Sequence, residues 1–193
     1  MTATHTLLLT CTSIAALLGA CGGEEPLSVS SPIGINLKAE EGDVKDNNVI
    51  NVEKSITSES GNPWGAFIAD VEDQLGGPPG DIELESLELT LAATSDGVTE
   101  LREVFQGTID IQFQMNDTDN VFGAASVVID DSVEGRSIAM DPSFDYGDFQ
   151  GVDLDKLLGG SYKVVLGAPA HPDFAGLKAK GDLQLTFDFA AFE

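Results

Sequence analysis

Apolar and polar residues alternate with a period of two along most of this chain, and the alternation predicts strands. Ile33, Ile35, Leu37 and Ala39 alternate with Gly34, Asn36 and Lys38; Val49 to Val52 forms a second short strand. Ile109, Ile111, Phe113 and Met115 alternate with Asp110, Gln112 and Gln114, a half-buried strand. Between Ile82 and Leu91 the apolar positions change parity, from Ile82 and Leu84 to Leu87, Leu89 and Leu91. One face can hold both sets only if a residue is inserted, so a β-bulge is expected near Glu85 and Ser86. Val121 to Ile129 is almost unbroken apolar sequence and predicts a strand covered on both faces or central in a sandwich. Ile138 to Met140, Tyr162 to Leu166, and a long run from Leu177 to Phe189 complete the strands, with Gly167 to Asp173 read as a loop.

Helical spacing occurs clearly once. Trp64, Phe67, Ile68, Val71 and Leu75 fall on one face, Asn62 can cap free amides, Pro63 occupies the first helical position, and Gly76-Gly77 stops the run. Trp64, the chain's one tryptophan, is therefore expected in the core. Shorter helical turns are predicted around Val98 to Phe105 and Leu154 to Leu158. Many strands with few helices indicate a mainly β fold: an antiparallel β-sandwich or flattened barrel, with one amphipathic helix near 62–76 and one or two short helical turns.

The N-terminus follows different rules. Residues 1–20 contain no Asp, Glu, Lys or Arg, and their apolar stretch is well short of the ~20 residues that span a bilayer. Leu18-Gly19-Ala20-Cys21 closes it and resembles the lipobox of bacterial lipoproteins. That resemblance covers the first 21 residues and implies a cleaved signal peptide, residues 1–20, with lipid (diacylglyceryl and usually an acyl chain such as palmitate) on Cys21. Gly22 and Gly23 stand where an aspartate would resemble an inner-membrane retention signal, so an outer-membrane destination is favoured where the cell has one. Residues 21–31 are expected to form a tether and residues 32–193 a single domain. The only cysteines are Cys11 and Cys21, so that domain has no internal disulfide. About 170 residues bury about 70% of the surface their unfolded chain exposes, enough for a core without staples.

Charge narrows the function. Nine Lys and Arg stand against 33 Asp and Glu, a formal net charge of −24. Binding nucleic acid requires cations that displace counterions from phosphates, and this chain lacks them. His5 leaves with the leader, so His171 is the one histidine of the domain, no Gly-x-Ser-x-Gly elbow occurs, and zinc sites of the Cys/His kind find no ligands beyond His171 and Cys21. Calcium is the candidate cofactor, because it takes six to eight oxygens that loops between strands can provide. Asp141, Asp145, Asp148, Asp153 and Asp155 form the best cluster. Asn116, Asp117, Asp119 and Asn120 form another, and Glu40, Glu41, Asp43, Asp46, Asn47 and Asn48 a third. None matches an EF-hand, and Asp and Asn are turn formers in any case. Tyr146, in the first of these loops, is the exposed aromatic candidate for stacking on a sugar. The expected function is a lipid-anchored, non-catalytic binding or assembly module of the cell envelope, held to the membrane through Cys21 and meeting an envelope protein or glycan. The alternatives are a calcium-dependent carbohydrate-binding module and, after it, a hydrolase using clustered carboxylates.

Overall fold

A computed structural model describes residues 27–45 and 47–193. The predicted leader, the lipidation site Cys21 and the cluster member Asp46 lie outside the described residues. Alternation becomes strand in eight segments: β1 Ser28–Glu40, β2 Val49–Ser55, β3 Asp81–Leu91, β4 Gly107–Met115, β5 Val121–Ile129, β6 Ser137–Pro142, β7 Tyr162–Pro169 and β8 Lys180–Phe192. Two helices, α1 Pro63–Leu75 and α2 Val152–Leu158, and short 3₁₀ turns connect them. Every pairing is antiparallel, in the order β1-β8-β3-β6-β5-β4-β7-β2. The sheet bends round until β1 and β2, its two edges, lie side by side. It is a flattened, nearly closed barrel.

β6 makes the bend. Its first part pairs with β3, Leu87 opposite Met140, whereas Asp141 and Pro142 pair with Ser126 and Ala125 of β5. One layer is therefore β1-β8-β3-β6, the other β5-β4-β7-β2, and their inner faces share one core.

The bulge in β3 falls where parity demanded it: Leu84 faces Phe189 and Ser86 faces Asp188, leaving Glu85 as the extra residue. β5 corrects the expectation of double coverage. Its register with β4 jumps between Ile111/Ala125 and Gln112/Gly123, so Ala124 is inserted and both Ala124 and Ala125 are buried. Val121 and Val128 remain 50% and 60% exposed. The unbroken apolar run is a change of face, as in β3. Three boundaries also move. Residues 28–31, expected in the tether, begin β1, where Val29 is buried opposite Ala191. β7 continues through Pro169, which ends the strand opposite Val49. β8 starts at Lys180, because residues 174–176 form a 3₁₀ turn and Lys178 takes a left-handed φ of 51°.

α1 matches its expected start and stop. Asn62 accepts a hydrogen bond from the Gly65 amide at 3.2 Å, Pro63 opens the helix, and Gly76 closes it with φ 78°. Its buried face seats Trp64, fully buried, among aromatic rings from both layers. Trp64 meets Tyr162 of β7 at 5.6 Å and Phe189 of β8 at 5.2 Å, both edge to face. Phe113 of β4 lies 5.0 Å from Tyr162 and 5.9 Å from Phe187 of β8. The indole N–H donates to the Leu157 carbonyl at 2.8 Å, tying α1 to α2 at the same end of the barrel. Gly160, just past α2, has φ 67°, and a Cβ there would stand 2.7 Å from a Thr57 methyl and 3.2 Å from the indole, so a side chain would strain the backbone and push these neighbours aside.

Two substitutions separate packing from polarity in this core. Trp64→Ala should cost about 3–5 kcal/mol in denaturant melts, with native tryptophan emission blue-shifted in the parent protein. The Tyr162 hydroxyl is buried with no hydrogen-bond partner among the described residues, and burial pushes its pKa well above the ordinary tyrosine value. Tyr162→Phe removes that unpaired group at constant shape and should raise stability by about 1 kcal/mol in the same melts.

Candidate functional site

The acidic cluster expected to bind calcium is not assembled as one site. Asp141 is in β6; Asp145 caps the 3₁₀ turn Tyr146–Asp148, accepting from the Gly147 amide at 2.8 Å; Asp148 belongs to that turn; Asp153 and Asp155 open α2. Among the described residues no three His, Cys, Asp or Glu are grouped so as to hold a metal ion. The physical reason is that neighbouring protein groups serve these loops instead. Asp153 accepts hydrogen bonds from Thr118 Oγ1 at 3.0 Å and Asn120 Nδ2 at 2.7 Å. Lys156 Nζ donates to the Asn116 carbonyl and to Asp117 Oδ2, the latter at 3.1 Å. The second cluster is thus the β4–β5 turn, fastened to α2 by an ammonium where the sequence invited a cation from solution. Asp117 and Asp119 hold φ of 64° and 56°, a left-handed geometry that Asp and Asn tolerate best among residues with a Cβ. In the third cluster Asp43 accepts the Glu40 amide at 2.8 Å, closing its own turn.

At the barrel end that carries α1 and α2, Asp81, Glu83, Pro142, Phe144, Asp145 and Tyr146 line a cleft of about 430 Å³. Tyr146 is half-buried and donates to the Pro79 carbonyl at 3.3 Å; burial, then the Asp81 charge, pushes its pKa up. Trp64, being fully buried, cannot stack on a ligand.

A cavity of about 710 Å³ opens at the opposite end. It is built by three connections that the fold brings together: Arg102 and Glu103 from the 3₁₀ turn after β3, Asp131 from the β5–β6 turn, and His171, Pro172, Asp173 and Leu177 from the β7–β8 segment. Arg102 donates to Glu100 Oε2 at 2.6 Å and to the Asp131 carbonyl at 2.8 Å. Glu103 Oε2 accepts from the Thr99 amide at 2.5 Å and the Glu100 amide at 3.0 Å. These bonds, the Thr99 amide first, outweigh the cost of burial and hold the Glu103 pKa below its ordinary value. Leu177 is 52% exposed and, with Pro172, gives the groove an apolar side.

His171 Nδ1 accepts the Asp173 amide at 3.3 Å. In a Ser-His-Asp triad a carboxylate accepts from Nδ1; here Nδ1 meets a backbone amide instead. The arrangement suits binding: an apolar wall beside a guanidinium, an imidazole and carboxylates. Sequence reading singled out His171 alone; Arg102, Glu103 and Asp131 lie in connections far apart along the chain and carry no local signal.

No family model and no curated protein matches the chain. Among solved structures it is similar to a chain of the empty-head turnip yellow mosaic virus, 14% identical over 95% of this chain and 90% of that one, with a TM-score of 0.30. A second turnip yellow mosaic virus structure is 11% identical, covering 88% of this chain and 95% of that one, with a TM-score of 0.32. Likeness at that level carries no argument about function.

The clamp between the β4–β5 turn and α2 yields a graded prediction. The Lys156 side chain is 13% exposed, whereas Asp117 is 90% exposed, so solvent screens their charges and the bond to the Asn116 carbonyl is the stronger restraint. Lys156→Met should cost about 1–3 kcal/mol and Asp117→Asn less than about 0.5 kcal/mol in urea melts.

Proposed function

We propose that this protein is exported, lipidated on Cys21 and anchored to the bacterial cell envelope, where it acts as a non-catalytic binding or assembly module. The observation that carries the reading is Leu18-Gly19-Ala20-Cys21 at the close of an uncharged apolar leader, with no other cysteine after it. Several acyl chains at about 0.8 kcal/mol per buried methylene anchor a protein without help from the domain. The excess of carboxylates repels anionic lipid and keeps the folded part off the bilayer surface.

Geometry supports this orientation. β1 starts at Ser28, a few residues after Cys21, at the barrel end that carries α1. An anchor on Cys21 turns that end towards the membrane and presents the Arg102–His171 groove outward, to a neighbouring envelope protein or glycan. A second reading, a carbohydrate-binding module, has one specific support: Tyr146 beside Asp81, Glu83 and Asp145 in the smaller cleft.

Metabolic labelling with an alkyne fatty acid, followed by membrane fractionation, tests the anchor. The parent protein should incorporate label and sediment with envelope membranes, and Cys21→Ser should do neither. An unmodified Cys21 in mass spectra of native material, or a mature N-terminus elsewhere, overturns the reading.

A further inference from the structure

The barrel has one seam. β1 is paired on one side with β8 and β2 on one side with β7, and between β1 and β2 no ladder forms among the described residues. The two edges flank a groove of about 480 Å³ bordered by Asn36, Lys38, Asn51 and Lys54. Unpaired edges are the weakest line of a β fold and its sites of unwanted pairing, and proteins cover them by design.

Here a single side chain covers them. Glu59, just beyond the 3₁₀ turn Ile56–Ser58 that follows β2, reaches back into the gap. Its Oε1 accepts the backbone N–H of Asn36 at 2.8 Å and its Oε2 accepts Asn36 Nδ2 at 3.1 Å, both on β1. Lys54 of β2 donates its ammonium to the same carboxylate. A carboxylate thus stands where a ladder carbonyl would accept the Asn36 amide, and the Glu59 side chain is only 10% exposed.

We infer that Glu59 is the latch of the barrel: ionised, it bridges the two free edges and holds the seam shut; protonated, it releases Lys54 and lets β1 and β2 part while the rest of the sheet stays paired. The charged group in contact with Glu59 is Lys54. Farther along the seam are Lys38 on β1, Glu53 on β2, which is paired with Lys163 of β7, and Asp43, which accepts the Glu40 amide. α1, packed on β1, carries Asp70, Glu72 and Asp73, all exposed, and the Ile56–Ser58 turn has no titratable group.

The sign follows from the environment of the carboxylate. Burial alone would push its pKa up, but the bonds from Lys54 and from the amides of Asn36 outweigh burial and hold it below the ordinary value of 4.5. A group depressed on folding contributes stability above its unfolded pKa and loses it as pH falls through the folded value. The latch is therefore closed at neutral pH and opens in acid, as pH falls through a value below 4.5.

Hydrogen exchange by mass spectrometry on the whole domain reads the seam directly. At neutral pH, E59Q should lower protection of the Asn36 amide, resolved by overlapping peptides across 33–40, by about tenfold or more, leaving the amides paired in the β1–β8 and β2–β7 ladders and those of β3, β4 and β5 unchanged. In the parent protein the Asn36 amide should lose protection in acid, as pH falls through a value below 4.5, after correction for intrinsic exchange, whereas E59Q should show no such step. E53Q, which breaks the exposed pair with Lys163, should behave as the parent. Lys54→Met, which keeps the Asn36 bonds, should move the opening midpoint to higher pH and serves where E59Q does not fold. The inference is overturned by parent-like seam protection in E59Q, by protection lost evenly over all strands, by an acid step that survives in E59Q, or by an unmoved midpoint in Lys54→Met.

Discussion

The contact on which the rest depends is the meeting of aromatic rings from opposite layers. Phe113 and Tyr162 come from one half of the sheet and Phe187 and Phe189 from the other; the tilted contact of Phe113 with Phe187 and the edge-to-face contacts of Trp64 with Tyr162 and Phe189 hold the layers at one spacing. Such pairs contribute about 0.5–1.5 kcal/mol beyond the area they bury. Trp64 joins the two sets, so α1 sits where the layers meet and α2 follows through the Leu157 carbonyl. The corner in β6 and the bulges in β3 and β5 let one sheet curl round these rings while most of its apolar side chains stay inside.

A second constraint comes from charge. With nine cationic side chains among 33 acidic ones, the fold uses most of its cations internally. Lys54, Lys156, Lys163, Lys180 and Arg102 each make an ion pair. Arg136 donates to the carbonyls of Leu91, Ala92 and Thr99, fastening the β5–β6 turn to the end of β3. Exposed ion pairs of this kind contribute little by themselves. Those that also reach a backbone carbonyl, as Lys156 and Arg136 do, fix the path of a connection.

How much of this was legible depended on whether a residue's partner lay nearby in sequence. The cap at Asn62, the stop at Gly76 and the bulge at Glu85 are local events, and their residues declare them. β5 misled because a bulge between two small residues, Ala124 and Ala125, leaves no polar residue to mark the change of face. β8 misled because Leu177 and Ala179 continue its parity, while the left-handed Lys178 between them breaks the strand. The acidic loops read as ligand sets because composition does not reveal which carboxylates already have donors; Asp153 and Asp117 find theirs across the β4–β5 turn and α2. The Arg102–His171 groove and the contacts of Glu59 across the seam were invisible for the same reason. Their geometry exists only after distant connections meet.

The pairing of the first strand with the last has a mechanical consequence. Ser28 lies opposite Phe192 and Glu40 opposite Lys180, so β1 and β8 run along the full height of the barrel. A pull applied at Ser28 and resisted at the far end acts along β1. It loads the whole ladder in shear, all 13 positions of the register at once, instead of peeling them one after another. Rupture under such a load is governed by the unfolding rate and not by the equilibrium stability. A domain tugged from that end and held at the other resists as a sliding joint, with its strongest direction aligned along its own axis.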